Sequence, residues 1–499
     1  MGIVRKQSIL SLISIYSGFA IGALNQYLYI HFLSQEQYGL TTLLREIFLA
    51  LSTFANLGTV LTFHRFYPMY QHFLGKKRND LPFIVIGASI IGLTLVVASL
   101  FIFKDLIIRK FSENSPLFVE WFYLLVPLTV TFLCMLLFEA FAFMLKRTVG
   151  ANLIKETGFR LFQSAIIMLY CFKWISIDTF FILFSLMYVP SVIIMGAMVF
   201  TKNGIQINYK ISGLTKRIYK SIASYTAFHF SGVAIAVLPI AINMSIITSI
   251  SKNGLIDTAV YGLARFFVSI IEAPLRSMLG INIATVSEAT HQKDKEKISR
   301  IYKKTSITLF ITGLALFILI ATNIDLVNAT LFNKNGKDYS MLGAIFFIIG
   351  LAKVFELSMG LNNVILYMSK YWKVEFYITS SVILLNIPVS YLLTKHWGVM
   401  GTACSDAIML SLFCLLRFYF VKRLIGIQPY TSKTLGMLLI GIACFIITAM
   451  VPSSFPVIIS LALKATVFML LYFTAIWFYN PSEDMKDILT KMFQKILKK

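Results

Sequence analysis

About fourteen apolar runs of roughly 20 or more residues follow one another along this chain, each long enough to cross the ~30 Å hydrocarbon core of a bilayer as a helix. They lie near 8–31, 40–64, 81–103, 117–141, 152–172, 177–200, 221–247, 257–283, 305–328, 340–367, 373–394, 397–421, 433–452 and 455–479. Lipid supplies no hydrogen-bond partners to the backbone, so runs of this length are expected to be helices. Only 13% of the 499 residues are charged and 58% are hydrophobic, too few polar side chains to cover a soluble globule. The expected class is therefore an all-α, multi-pass integral membrane protein.

The net charge of +23 raises the question of a nucleic-acid partner, and its distribution answers it. Lys and Arg gather in KKRN (76–79), TKRIYK (215–220), KDKEKISRIYKK (293–304) and the C-terminal tail. With the N-terminus in the cytoplasm, about 30 of them fall on that side and only about eight outside, which is the positive-inside pattern. Both termini are expected to be cytoplasmic, with membrane lipids as the partner and no nucleic acid. The opening MGIVRKQSIL leads into a span too long for a cleaved signal, so it is read as retained. Lys6 stands where a myristoylation signal needs Ser or Thr. In the tail, Ser482 can cap a helix whose Met485, Ile488, Leu489, Met492, Phe493, Ile496 and Leu497 form one apolar stripe, suited to the inner membrane face. The five cysteines show no C-x-x-C or Cys/His spacing, so neither a disulfide framework nor a metal site is expected.

An internal repeat organises the spans. YGL opens an apolar, charge-bearing segment at 38–40 and again at 261–263; Trp174 and Trp397, each at the start of a span, are separated by the same interval. SGFAIGAL (17–24) in the first span matches SGVAIAVL (231–238) in the seventh at Ser, Gly, Ala, Ile and Leu. The expected architecture is two six-helix lobes related by a parallel repeat, plus two extra C-terminal helices. Its parts are an N-terminal lobe (1–200), a cytoplasmic linker (201–220), a C-terminal lobe (221–425), helices 13 and 14 (426–480) and the tail helix (481–499). Two even-numbered units entering from the same side suit a transporter that rocks between them.

The order of these motifs resembles the Wzx-type polysaccharide flippases of the multidrug/oligosaccharidyl-lipid/polysaccharide exporter superfamily. LSQEQYGL (33–40) followed by a span ending LGTVLTFHRFYP (57–68) looks like that family's opening. The block NNVILYMSKYWKVEFYITSSVILLNIPVSYLLTKHWGVMGTACSDAI (362–408) looks like its C-terminal hallmark. The resemblance implies a flippase that carries a polyprenyl-diphosphate-linked oligosaccharide, such as an O-antigen unit for lipopolysaccharide, across the bacterial inner membrane. Its implied partners are a polysaccharide polymerase and glycosyltransferases. Lipid II flippases of the same superfamily carry LLRRIF-like residues in span 2 and cavity arginines in spans 1, 2 and 8. The LLREIF of this chain (43–48) accordingly implies Arg45 as a cavity cation, and IIEAPL (270–275) places Arg265 about one turn from the family's arginine in span 8. Span 1 departs from the pattern, with Asn25 and Gln26 where an Arg-Asp pair would stand.

Charges deep in a bilayer cost at least about 2.5 to 3.5 kcal/mol each on insertion scales and usually face a bundle interior or water. Arg265, Glu272 and Arg276 share one face of span 8, and Lys353 and Glu356 are neighbours on span 10. Arg45 and the adjacent Glu46 project about 100° apart, so each is expected to need a partner in another helix or a wet cleft. Asp406 is expected to be either unpaired, as a proton carrier, or opposed to Lys464 as a lock; Glu139, near a helix end, is expected to snorkel. Arginine forks suit phosphate oxygens. The candidate substrate contacts are therefore Arg45, Arg265, Arg276, Lys353 and Asn25. Glu46, Glu272, Glu356 and Asp406 are candidates for coupling to protons or sodium, with no other cofactor expected. Prolines 127, 190, 239, 274 and 388 offer kinks within spans. A cation-coupled multidrug exporter of the same architecture is the alternative. An enzyme is not expected, because no paired carboxylates, nucleophile elbow, Walker loop or metal cluster is present in the sequence.

Overall fold

The computed structural model describes residues 2–202, 204–333, 336–452 and 455–481, and their regular structure is helical throughout. The expected tail helix lies outside the described residues. Every apolar run falls on helical chain. Among the described residues, seven helical stretches are long and apolar enough to cross a membrane, and two bent pairs bring this to nine. The chain divides into two compact units, Met1–Ala259 and Val260–Lys499.

Unit 1 starts with α1 (Gly2–Phe32) and α2 (Gln35–Asn56), whose first turn is closed by a capping box between Ser34 and Gln37. The chain breaks at Leu57 and Gly58, both with left-handed φ, and α3 (Thr59–Leu74) continues at a 42° bend. Gly58 is required there twice over: its φ is +75°, and a Cβ would lie 2.8 Å from the Thr226 carbonyl oxygen. Next come α4 (Leu81–Ile102), the short α5 (Lys104–Phe111) and α6 (Pro116–Trp121), then α7 (Leu125–Met144). Span 5 is α8 (Thr148–Leu153) joined to α9 (Phe159–Cys171) by a π turn over Ile154–Gly158. Then α10 (Ile177–Ser185) and α11 (Val189–Val199) together make one span, and α12 (Gly213–Ile250) follows. In a membrane, helices gain little hydrophobic energy by meeting, so close approach and hydrogen bonds must hold them. α12 packs along α2 and α3 through Thr62 and Thr226 (2.7 Å). At its first turn, buried Asp80 accepts from the Ser212 amide and the Thr215 hydroxyl.

Unit 2 holds most of α13 (Leu255–His291), then α14 (Lys295–Ala321), α15 (Ile324–Val327), α16 (Leu342–Ser358) and α17 (Asn362–Met368), the last two bent by 50° about Gly360. The 53-residue α18 (Trp372–Leu424) would be about 80 Å long if straight, more than twice a hydrocarbon core. It reverses instead at Gly398 (φ +56°), so that Thr394 bonds Thr402 at 2.7 Å and Glu375 meets Arg417. Gly401 is the second necessity of that hairpin, since a Cβ there would sit 1.9 Å from the Leu393 carbonyl oxygen. The chain thus supplies spans 11 and 12 as the two arms of one hairpin. The sharp breaks fall at glycines; Pro239, Pro274 and Pro388 lie inside continuous helices and Pro190 opens α11. Finally α19 (Ser432–Ala449) and α20 (Val457–Tyr479) dock on α14. Leu314 faces Gly441, and the Tyr472 hydroxyl donates to the Ile311 carbonyl at 2.8 Å.

Candidate functional site

In unit 1, Arg45 and Glu46 do pair, Nε to Oε1 at 3.1 Å. This corrects the expectation drawn from their 100° divergence: both side chains are long enough to curl toward each other around the helix. The pair nevertheless stays open, with the arginine side chain 32% exposed and the glutamate 17%. A guanidinium carries five N–H donors, and among the described contacts Arg45 spends one. On the preceding turns of α2, the Tyr38 hydroxyl donates to Gln26 at 2.6 Å, tying α2 to α1, while among the described residues the buried Tyr29 hydroxyl of α1 has no hydrogen-bond partner.

Span 5 brings charges, Lys155, Glu156 and Arg160, that the sequence shows at its start but that are not among the candidate contacts read from it. The Lys155 ammonium donates to both carboxylate oxygens of Glu139 at 2.9 Å. Glu139 is therefore buried and paired rather than snorkelling, because the π turn delivers Lys155 to α7. One turn on, Arg160 Nη1 donates to the Glu156 carboxylate at 3.1 Å and to the Glu156 carbonyl. Its guanidinium lies in a notch made by Gly18 and Gly22 of α1, where a Cβ at Gly22 would be 3.2 Å from Arg160 Nε. Asn25, on the same face of α1, donates to the Arg160 carbonyl (2.8 Å) and accepts from the Ser164 hydroxyl (2.5 Å). The structure thus places Asn25 in the seam between α1 and α9, with both ends of its amide engaged.

In unit 2 the charges of α13, α16 and α18 join into chains. Glu272 takes Arg276 at 3.0 Å and Lys353 at 3.7 Å, and Lys353 also holds Glu356 at 2.6 Å. Asp406 accepts from the Tyr261 hydroxyl and pairs with Arg265 at 3.4 Å. It is thus neither bare nor opposed to Lys464, whose ammonium reaches the Thr322 carbonyl at 3.4 Å near the end of α14. The most enclosed pair, Glu375 with Arg417, also went unread in the sequence. Arg417 Nε lies 2.9 and 3.1 Å from the two carboxylate oxygens, Nη2 makes a further bond, and the Phe413 ring lies 3.6 Å under the guanidinium carbon. Its only sequence sign is that both residues stand at similar distances along the chain from the Gly398 turn. Among the described residues no cluster of His, Cys, Asp and Glu could hold a metal ion.

No family model and no curated protein sequence matches the chain. Solved structures do. The chain is similar to the lipid II flippase MurJ in an inward closed conformation, at TM-score 0.76 and 14% identity, over 95% of this chain and 99% of that one. It is also similar to an inward-facing multidrug resistance MATE family transporter of the MOP superfamily (0.61, 14%, 84% and 98%). A third is a MOP superfamily transporter from Pyrococcus furiosus, described as having a binding pocket of reversed polarity (0.58, 13%, 85% and 96%). At these identities the likeness is one of fold: a multi-pass, all-helical architecture of about fourteen membrane helices, the fold of MOP superfamily transporters.

Proposed function

We propose that this chain is a flippase that moves a polyprenyl-diphosphate-linked oligosaccharide from the cytoplasmic to the outer leaflet by alternating access, for assembly of a cell-surface polysaccharide such as O-antigen. The observation that carries the reading is the extent of the fold likeness. The lipid II flippase matches 95% of the chain, whereas the MATE and Pyrococcus structures match 84% and 85%. Arg45 supports it chemically, since a fork held on one nitrogen keeps its η donors for phosphate oxygens. Arg45, Arg265, Arg276 and Lys353 are the proposed contacts for the anionic head, while Asn25, engaged at both ends of its amide, is assigned to the seam between α1 and α9 rather than to the substrate. Glu46, Glu272, Glu356 and Asp406 are proposed to exchange partners with a proton or sodium ion. In this reading the repeat defines the moving lobes (1–200 and 221–425), the protein resides in a bacterial inner membrane with both termini cytoplasmic, and a polymerase and glycosyltransferases work beside it.

The multidrug alternative draws on the likeness to MATE transporters. One experiment separates the two. In proteoliposomes, flipping of a fluorescent polyprenyl-diphosphate sugar is expected with wild type and lost with Arg45→Ala at equal protein level. Absence of flipping by wild type, together with dye export driven by a cation gradient, would establish the exporter instead.

A further inference from the structure

Within unit 1, Arg45 and Arg160 each commit one nitrogen of the guanidinium to a protein acceptor. Arg45 gives Nε to Glu46, and Arg160 gives Nη1 to Glu156. Among the described contacts, both η nitrogens of Arg45 and the Nε and Nη2 of Arg160 have no protein acceptor. Donors left open on a charged group inside an apolar bundle must be met by water or by an anion. Both heads are reachable: the Arg45 side chain is 32% exposed and the Arg160 side chain 19%.

The two forks also address one place. The ring of buried Tyr188 packs on Phe159, which precedes Arg160, with centroids 5.2 Å apart, and on Phe48, one helical turn after Arg45, at 5.7 Å. The Arg160 guanidinium carbon in turn lies 5.1 Å from the centroid of that Phe159 ring. Two features hold Arg160 in that position. The Gly18 and Gly22 notch leaves room for its guanidinium against α1, and the π turn at Ile154–Gly158, a distortion common at functional positions, sets the register of span 5.

We propose that Arg160 is a second anion-binding residue of unit 1, and that it and Arg45 together grip the diphosphate of a lipid-linked substrate beside Tyr188. This rests on the flippase reading above and adds to it a residue on span 5. The carboxylates of Glu46 and Glu156 are then the internal ligands that the diphosphate displaces and that reclaim the arginines on release.

The test uses the full-length protein in phosphatidylcholine nanodiscs and geranylgeranyl diphosphate as the probe. Wild type is expected to bind it, and Arg45→Gln and Arg160→Gln each to weaken binding about tenfold or more, the loss expected for a charge-assisted hydrogen bond. Arg160→Lys, which keeps the charge and loses the fork, should recover only part of that loss. A measurement on wild type covers the case in which Arg160→Gln does not fold. Phenylglyoxal labelling, read by peptide mass spectrometry, should fall at Arg45 and Arg160 together as the probe saturates. If Arg45 is protected while Arg160 labels equally with and without probe, or if both Arg160 variants bind like wild type, the inference fails and the flippase reading stands. If wild type binds no lipid diphosphate at all, both fail. Inorganic pyrophosphate competing as well as the lipid probe would overturn the assignment to a lipid-linked ligand.

Discussion

Arg45 in unit 1 and Arg417 in unit 2 are both arginines of membrane helices paired with a glutamate, yet they are opposite cases. Arg417 places two nitrogens on Glu375, lies over Phe413 and shows 10% of its side chain. Arg45 places one nitrogen on Glu46 and shows 32%. With two nitrogens on one carboxylate and its face on an aromatic ring, Arg417 keeps little of its fork for a ligand and has much to lose if its partner goes; Arg45 is the reverse. Counting committed donors therefore separates an arginine that holds the fold from one that is free to serve transport, where depth in the bilayer alone does not.

The largest effect on stability is expected where the fork is closed. Arg417→Ala or Glu375→Ala strands one buried charge, a loss of about 3 to 5 kcal/mol, while Arg417→Met with Glu375→Leu replaces both by apolar groups at little net cost. Thermal unfolding in detergent checks this. A double variant as unstable as the singles would show that the pair contributes more than mutual neutralisation, and the comparison with Arg45 would lose its basis.

Next in size is the turn that makes this pair possible. Gly398 has φ +56° and ψ −139°, a conformation that side-chain-bearing residues rarely adopt, so Gly398→Ala should cost about 1 to 3 kcal/mol. Combined with the loss of the ion pair, the two effects should be less than additive, because both act on the same hairpin. Strict additivity in the same melting assay would mean that spans 11 and 12 are held together elsewhere.

A smaller effect is expected at Asp406. Asp406→Asn keeps a group able to bond Tyr261 and gives up a 3.4 Å ion pair to the part-exposed Arg265, so the stability change should stay near 1 kcal/mol. If Asp406 is the proposed coupling group, transport by the variant should no longer respond to an imposed proton or sodium gradient. Unchanged gradient dependence would leave Asp406 as a partner of Arg265 only.

The sequence carried the spans well and their partners poorly, for a physical reason. The run read at 81–103 is helix over Leu81–Ile102, and the run at 455–479 is helix over Val457–Tyr479, because hydropathy and length alone decide what crosses a bilayer. Lys353 with Glu356 was legible because helical spacing is local. Glu375 with Arg417 was not, since the partner arrives only after the chain reverses at Gly398. Span 5 hid the partners of its charges for a different reason: a π turn changes the register of Lys155, Glu156 and Arg160 without changing composition. For Arg45, side-chain reach outweighed the angle between adjacent residues, which no pattern of spacing records.

The smallest effect on folding is expected at Arg45, and it is the sharpest use of the comparison. The pair with Glu46 is part-exposed and held by one hydrogen bond, so breaking it should change stability by no more than about 1 kcal/mol, well under the loss expected at Arg417. Transport should behave in the opposite way. Arg45→Ala is expected to abolish flipping, and Arg45→Lys to restore only part of it, because an ammonium supplies the charge without the fork. Glu46→Gln frees the guanidinium further, so lipid-diphosphate binding should tighten while turnover slows as release loses its competing carboxylate. Melting curves and initial flipping rates on the same preparations check both halves. A variant of Arg45 that melts as early as Arg417→Ala, or one that flips substrate at the wild-type rate, would place Arg45 with the closed forks and remove the distinction drawn between the two arginines.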